Sequence, residues 1–388
     1  MHLLKQTGHS SLGLPEDSYI YSIVPSSRTE FAAISSDDSL RIFDANRLSH
    51  TSLLANNAHD GVTSLQTYDA SNQLVVTGGR DGKVKLWDLR NGKNSAVVAV
   101  ESFVHWGELT SGPEVCLDLR SLCELLTDPA TANQAPVLST ATCSETNSLV
   151  AGTELHSHQA IVAFWDVRSA TQPRLEYVES HNDDVTELQY HPTRHNILLS
   201  GSTDGLVNIY NTTITDEDEA LVQVINHGSV HHAGFINERT IYALSHDETF
   251  AIHPATDPDE EAQEPEPIQF GDIRQPLSCE YIAQLCIGSQ GPYIAAGHKI
   301  DKRLDLIPLV PTPSWRFDEQ SLWRLPGGHG EEVVRSVYVD EQNQSVFTCG
   351  EDGFVRTWKP ETEQGQDNPV ETPRKEKKTK EKARYRPY

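Results

Sequence analysis

A single unit recurs at a nearly constant interval along this chain, and that recurrence limits its fold more than any other feature. The unit is a short apolar strand, a Gly/Ser/Asp turn, and a second strand ending in an aromatic residue that is often followed by Asp. The clearest copy runs from Leu74 through Arg80-Asp81-Gly82 to Trp87-Asp88. Others run from Leu198 through Asp204-Gly205 to Tyr210-Asn211, and from Val346 through Asp352-Gly353 to Trp358. A first copy spans Ala32 to Phe43-Asp44, and weaker ones run from Ser148 to Asp166, Ile241 to Ile252 and Tyr293 to Leu306. The turns fall at Asp38, Asp81, near Ser157, at Asp204 and Asp247, near Ile300, and at Asp352. Asp38 and Asp81 are 43 residues apart, as are Asp204 and Asp247. Within the strands apolar and polar residues alternate, as in Val84 and Leu86 against Lys83 and Lys85, which is the period of a β-strand.

A repeat of about 40–45 residues accommodates four strands, the size of one propeller blade. One blade cannot bury its two faces alone, whereas a closed ring of blades can. Longer steps coincide with insertions, so the expected architecture is all-β: seven blades over residues 1–360, with residues 361–388 outside the ring. The chain leaves its last blade near Pro360, and His2–Gln6 are expected to supply that blade's missing outer strand. One insertion covers 107–137, where Val115, Leu119, Leu122 and Leu126 share a helical face. Such a helix packs on the ring or receives a partner. A second insertion, 257–267, is acidic and Pro-rich and is expected to stay solvated; Asp216–Glu219 is a shorter acidic run.

The repeat resembles the WD40 family across nearly the whole ordered chain. The second half is similar to the WD repeat-containing protein 89 family. That likeness rests on Ser180-His181-Asn182-Asp183-Asp184-Val185-Thr186, Ser200-Gly201-Ser202, Asp204–Asn208, Asp216–Val222 and His246-Asp247-Glu248. Asp272-Ile273-Arg274, Gly327-Gly328-His329, Val334-Arg335-Ser336, Gly350-Glu351-Asp352 and Trp358-Lys359-Pro360 continue it, with a basic C-terminus. The resemblance implies a seven-bladed WD40 β-propeller that serves as a nuclear or nucleocytoplasmic interaction protein without catalytic activity. The first, third, fifth and sixth copies depart from the family pattern.

Charge narrows the partners. The whole chain carries −25, whereas Arg374–Arg386 holds eight Lys/Arg against two Glu, a net +6, so residues 1–373 carry −31. An acidic body repels phosphate backbones and attracts basic partners. Basic proteins, such as histone or ribosomal segments, are therefore expected clients, and nucleic acid is not expected on the body. The tail (Arg374, Lys375, Lys377, Lys378, Lys380, Lys382) lacks apolar periodicity and is expected to be disordered. It reads as a nuclear-import signal, with nucleic-acid contact and simple solubilisation as alternatives. The six cysteines form no CxxC pair and no Cys/His spacing suits zinc. No apolar run is long enough for a signal peptide or a membrane span. These features point to a reduced, intracellular protein without metal or cofactor.

Three sets of residues look enzymatic: His59, Thr77, Asp81 and Trp87; His181, Ser200, Asp204 and Tyr210; His329, Thr348, Asp352 and Trp358. Hydrolytic chemistry needs an exposed hydroxyl beside a free imidazole. An active site repeated around a ring is foreign to such chemistry, so each set is read as a buried structural relay. His156-Ser157-His158 is read as an exposed turn. The residues just before the turn Asp, namely Arg80, Thr203, His246 and Glu351, are the candidate partner-binding positions on the ring's top face. Trp87-Asp88-Leu89-Arg90 and Trp165-Asp166-Val167-Arg168 are WDxR boxes. They resemble the element by which some WD40 substrate receptors dock onto a cullin-RING ubiquitin-ligase adaptor, the alternative function; otherwise Arg90 and Arg168 pair with neighbouring acids.

Overall fold

The computed structural model describes residues 1–91, 96, 98–101, 135–256, 265–312 and 314–361. The expected helical face from Val115 to Leu126 and the basic tail fall outside them; of the 107–137 insertion only 135–137 are described, with Val137 opening a strand, and of the acidic loop only 265–267. Five four-stranded antiparallel sheets follow one another in chain order. A nine-stranded composite sheet holds the remaining strands: two further four-stranded units, and the short strand Arg316–Phe317 that pairs with Arg303–Val310. Seven blades are thus present among the described residues.

The composite arises from the N-terminal strand, His2–Ser10. It pairs antiparallel with Val355–Pro360, with Gln6 opposite Trp358, and parallel with Trp323–Pro326, with His2 opposite Trp323. It is longer than the expected His2–Gln6 and completes the seventh blade while also gripping the sixth. The His2 and Trp323 rings stack at 4.6 Å. A terminal strand held on both edges closes the ring with backbone hydrogen bonds and leaves the seventh blade no open outer edge.

Apolar cores lie between blades. Val76, Val84 and Leu86 of the second blade pack with Val137, Leu149 and Trp165 of the third, and all six are buried. Ala32, Ile34 and Leu40 of the first blade pack with Leu65, Val75 and Trp87 of the second. The turns use a left-handed residue directly after the turn acid: Gly82 (φ 69°), Gly205 (φ 95°), Gly353 (φ 73°), Asp38 (φ 60°) and Glu248 (φ 60°). Asp38 therefore occupies the position of Gly82, and Asp37 is the first blade's turn acid. The interval from there to Asp81 is one residue longer than the spacing from Asp38. Without a histidine to meet, Asp37 accepts from Ser35, Ser39 and Arg41.

The weaker sixth blade uses a different polar device. Asp305, 2% exposed, receives Arg324 Nε at 2.7 Å and Nη2 at 2.8 Å, and Arg303 Nε at 3.2 Å. A buried carboxylate between two guanidiniums stands in that blade in place of a His–hydroxyl relay.

Candidate functional site

The innermost strand of every blade opens in the same way. A buried β-branched residue (Ile20, Val62, Val137, Val185, Val230, Ile282 or Val334) is followed by one residue without a partner opposite. Such β-bulges turn a side chain out of the regular alternation. The bulged residues are Tyr21, Thr63, Leu138, Thr186, His231, Ala283 and Arg335, and all seven line one cavity of about 970 Å³ at the mouth of the central channel. This ring is the candidate site. Its signal is present in the sequence, since Ile20-Tyr21-Ser22, Val62-Thr63-Ser64, Val137-Leu138-Ser139 and Val334-Arg335-Ser336 share one pattern. A strict period of two hides it, because the bulge shifts the register by one.

Side-chain bonds between neighbouring innermost strands hold the ring. Thr63 Oγ1 donates to the Val137 carbonyl at 2.6 Å, Ser139 Oγ to Val185 at 2.8 Å, and Thr186 Oγ1 to Val230 at 2.8 Å. Gln284 Nε2 donates to Val337 at 2.8 Å. His232 Nδ1 lies 2.9 Å from Glu187 across the same kind of joint. Burial alone pushes His232 down, but the Glu187 carboxylate more than reverses this and holds it above the usual histidine value. Burial drives the neighbouring His231 down to about 3, so that imidazole is neutral.

The mouth is acidic once its internal pairs are set aside. Arg80 meets Glu154 at 3.1 Å, and Arg335 Nε meets Glu351 at 2.9 Å. Asp38, Glu248 and Glu280 also line the cavity, with Lys299 as a further cation. Asp38 accepts from the Val62 amide, and Glu280 from the amides of Lys299 and Ile300. Glu248 is different: it is 9% exposed and its Oε2 has no hydrogen-bond partner among the described residues. Burial raises its pKa, although the Ile282 amide and Arg274 pull the other way.

The four expected top-face residues divide here. Arg80 lines the mouth, and Glu351 reaches it through Arg335. The His246 ring lies 5.0 Å from His231, with its Nδ1 3.1 Å from Ser229 Oγ. Thr203 is not part of the lining, and its backbone amide bonds to Asp184. Reading single positions before the turn Asp did not find Glu248, Glu280 or the bulge ring.

The relay residues are joined as three chains. His59 Nδ1 is 2.8 Å from Asp81 and Nε2 is 2.7 Å from Thr77 Oγ1, which accepts from Trp87 Nε1 at 2.8 Å. His329 lies 2.6 Å from Asp352 and 2.8 Å from Thr348, which accepts from Trp358 at 2.9 Å. His181 lies 3.0 Å from Asp204 and 2.7 Å from Ser200, whose Oγ is 3.2 Å from the Tyr210 hydroxyl. That hydroxyl is also 2.8 Å from Ser180 Oγ, a contact an indole N–H in its place would not accept. The three histidines are 1–3% exposed, and Thr77, Ser200 and Thr348 are fully buried. Each hydroxyl is engaged on both sides, so none is free to attack a substrate. Burial lowers His59 and His329 despite the opposing bonds to Asp81 and Asp352. Burial raises both Asp carboxyls, but the histidine bonds together with Lys85 beside Asp81 and Arg356 beside Asp352 hold them below the usual range. A neutral imidazole between a carboxylate and a hydroxyl is the result at His59 and at His329.

The WDxR boxes close on themselves. Arg90 forks onto Asp88 at 2.8 and 2.7 Å, and Arg168 onto Asp166 at 2.9 and 2.5 Å. Asp272 and Arg274 make the same fork at 3.0 and 2.7 Å without a preceding tryptophan. The DxR part is thus a local strand-end device, and its guanidinium stays accessible, 54% exposed for Arg90 and 68% for Arg168. His156, Ser157 and His158 form a tight turn with φ of 52° at Ser157 and 71° at His158. In the acidic run, Glu217 accepts the backbone amides of Val178, Glu179 and Ser180, which ties the run to the ring.

Comparison with known proteins agrees with this architecture. Residues 28–250 match the model described as nucleolar protein 10-like, N-terminal domain, and residues 320–359 match the WD domain, G-beta repeat. An uncharacterized WD repeat-containing protein of Saccharomyces cerevisiae is 35% identical over 75% of this chain and 76% of its own length. One from Schizosaccharomyces pombe is 30% identical over 78% and 84%. The Dictyostelium discoideum WD repeat-containing protein 89 homolog is 28% identical over 46% and 50%. Among solved structures, the WD40 β-propeller domain of Doa1 superposes with a TM-score of 0.61 at 12% identity, over 93% of this chain and 98% of that one. A chain of the mitotic checkpoint complex gives 0.63 at 13% identity, over 92% and 93%.

Proposed function

The chain belongs to the WD40-repeat family, within the group that shares the nucleolar protein 10-like propeller domain, and on that premise we propose that it is a non-enzymatic docking ring for basic protein segments. The segment enters at the channel mouth. The observation that carries this reading is the buried Glu248 Oε2, without a hydrogen-bond partner among the described residues, beside Asp38 and Glu280, where Arg80 and Arg335 are already neutralised by Glu154 and Glu351. A buried acceptor without a donor gains more from a lysine or arginine side chain than an exposed one does. The negative body adds long-range attraction to a basic client and opposes nucleic acid.

The test is calorimetric titration of the full chain with a short Lys/Arg-rich peptide at two salt concentrations. Glu248→Gln together with Glu280→Gln is expected to weaken binding at least tenfold, and salt to weaken the wild type further. Equal affinities for wild type and variant would remove the mouth as the docking site. The tail from Arg374 to Arg386 is assigned to nuclear import, in keeping with a nucleolar protein 10-like domain. Deleting 374–388 is expected to move a fluorescent fusion out of the nucleus; unchanged nuclear signal would reject that assignment.

A further inference from the structure

On the opposite rim of the ring, three side chains from two blades converge on one point. Cys143 ends the third blade's innermost strand, Val137–Cys143, and Glu145 follows in the turn. His195 lies in the corresponding turn of the fourth blade, between Val185–Tyr190 and Ile197–Ser202. Cys143 Sγ is 3.5 Å from Glu145 Oε2 and 3.5 Å from His195 Nδ1, and Nδ1 is 4.0 Å from Oε2.

A nucleophilic triad does not look like this. There the orienting carboxylate meets the imidazole nitrogen that faces away from the nucleophile. Here the sulfur and the carboxylate address the same nitrogen, so all three donor atoms surround one common volume. Tetrahedral zinc has bonds of about 2.3 Å to sulfur and about 2.0–2.2 Å to imidazole nitrogen and carboxylate oxygen, which separates sulfur from either of the others by about 3.5–3.6 Å. Two edges of the cluster have that length already, and the third closes by a small movement of exposed side chains. Ser144 Oγ donates to the same Oε2 at 3.1 Å, as an outer group supporting a ligand does. His195 also lines a crevice of about 270 Å³ with Thr146, Arg174, Leu175 and Asn196, so its ring is reached from solvent.

We propose that Cys143, Glu145 and His195 bind a zinc ion that staples the third blade to the fourth. The thiol binds as thiolate and its proton goes to solvent, so binding strengthens with pH. The site owes nothing to sequence motif, because Cys143 and His195 are 52 positions apart.

The test uses the full chain stripped of metal and titrated with cobalt(II), then with zinc. A saturable site with the visible bands of tetrahedral cobalt and a near-ultraviolet sulfur-to-metal band is expected, and zinc should displace it. Zinc should raise the melting temperature of the wild type only. Cys143→Ser should abolish the sulfur band. Because that position is buried, His195→Gln and Glu145→Gln, both at accessible positions, carry the test if the serine variant fails to fold. Each is expected to lose at least the ~10–100-fold of metal affinity typical of a lost outer-shell partner. A sulfur band that survives Cys143→Ser, affinities unchanged in His195→Gln, or no sulfur band at all would overturn the proposal.

Discussion

Replacing Asp81 by alanine isolates the first relay. Asp81 Oδ1 is the acceptor for His59 Nδ1 at 2.8 Å and also takes the Lys83 amide at 3.2 Å. His59 is 1% exposed behind that carboxylate, so its removal takes away the acceptor of a buried imidazole. An imidazole N–H left buried without an acceptor costs about 1–3 kcal/mol. Unfolding entropy scales with length, and for a ring of about 350 residues one degree corresponds to about 0.7 kcal/mol. The melting temperature should therefore fall by about 1.5–4 °C, read by differential scanning calorimetry or by circular dichroism. Asp81→Asn keeps a carbonyl acceptor and should fall less. The pH dependence has a definite sign. His59 and His329 are depressed in the folded state, so below the ordinary histidine value of about 6.5 the unfolded chain takes up protons that the folded chain refuses. Wild-type stability should therefore decline as pH falls below that value. The depressed Asp81 and Asp352 add a further loss below about pH 4 as their carboxylates protonate. An Asp81→Ala protein that melts with the wild type, or an asparagine variant as weak as the alanine one, would refute the relay.

Asp305→Ala removes the carboxylate that Arg324 forks onto, while Arg303 keeps Asp301, and should destabilise by about 1–3 kcal/mol in denaturant titration. His232 is raised by Glu187, so its contribution is complete below the unfolded value and disappears as pH rises through the folded one. His232→Gln should accordingly lower the melting temperature more at pH 6 than at pH 9. Arg90→Ala with Arg168→Ala should leave the melting temperature unchanged, because both forks are exposed. The same pair tests adaptor docking through WDxR: equal recovery of a cullin-RING adaptor by wild type and variant in a pull-down rules it out.

The elements that were legible in the sequence are those written within one blade. Each relay lies within about thirty residues, and its His, hydroxyl, Asp and aromatic partners appear in fixed order from His59 to Trp87 and from His329 to Trp358. The turn acids follow from Gly or Asp at left-handed positions, which shape the chain locally. The closing strand was legible in part, because the last blade visibly lacks one strand, although its reach to Ser10 and its second grip on Trp323–Pro326 were not. Those depend on how the ring's two ends meet.

What only the tertiary structure decided lies between blades or out of register. Seven bulges, each one residue long, place Tyr21, His231, Arg335 and their equivalents around one mouth. Alternation cannot register a one-residue slip that reverses which face a side chain takes. Glu248 is left with one unsatisfied carboxylate oxygen because the next blade's innermost strand, at Ile282, meets only part of the carboxylate. Cys143 and His195 meet only because consecutive blades stack their turns at one rim. The recurring strand and turn, local in origin, determined from sequence alone that the chain closes into a ring of blades. Where the ring carries charge and ligand atoms was set by contacts between blades, since packing across a ring joins residues that no spacing along the chain relates.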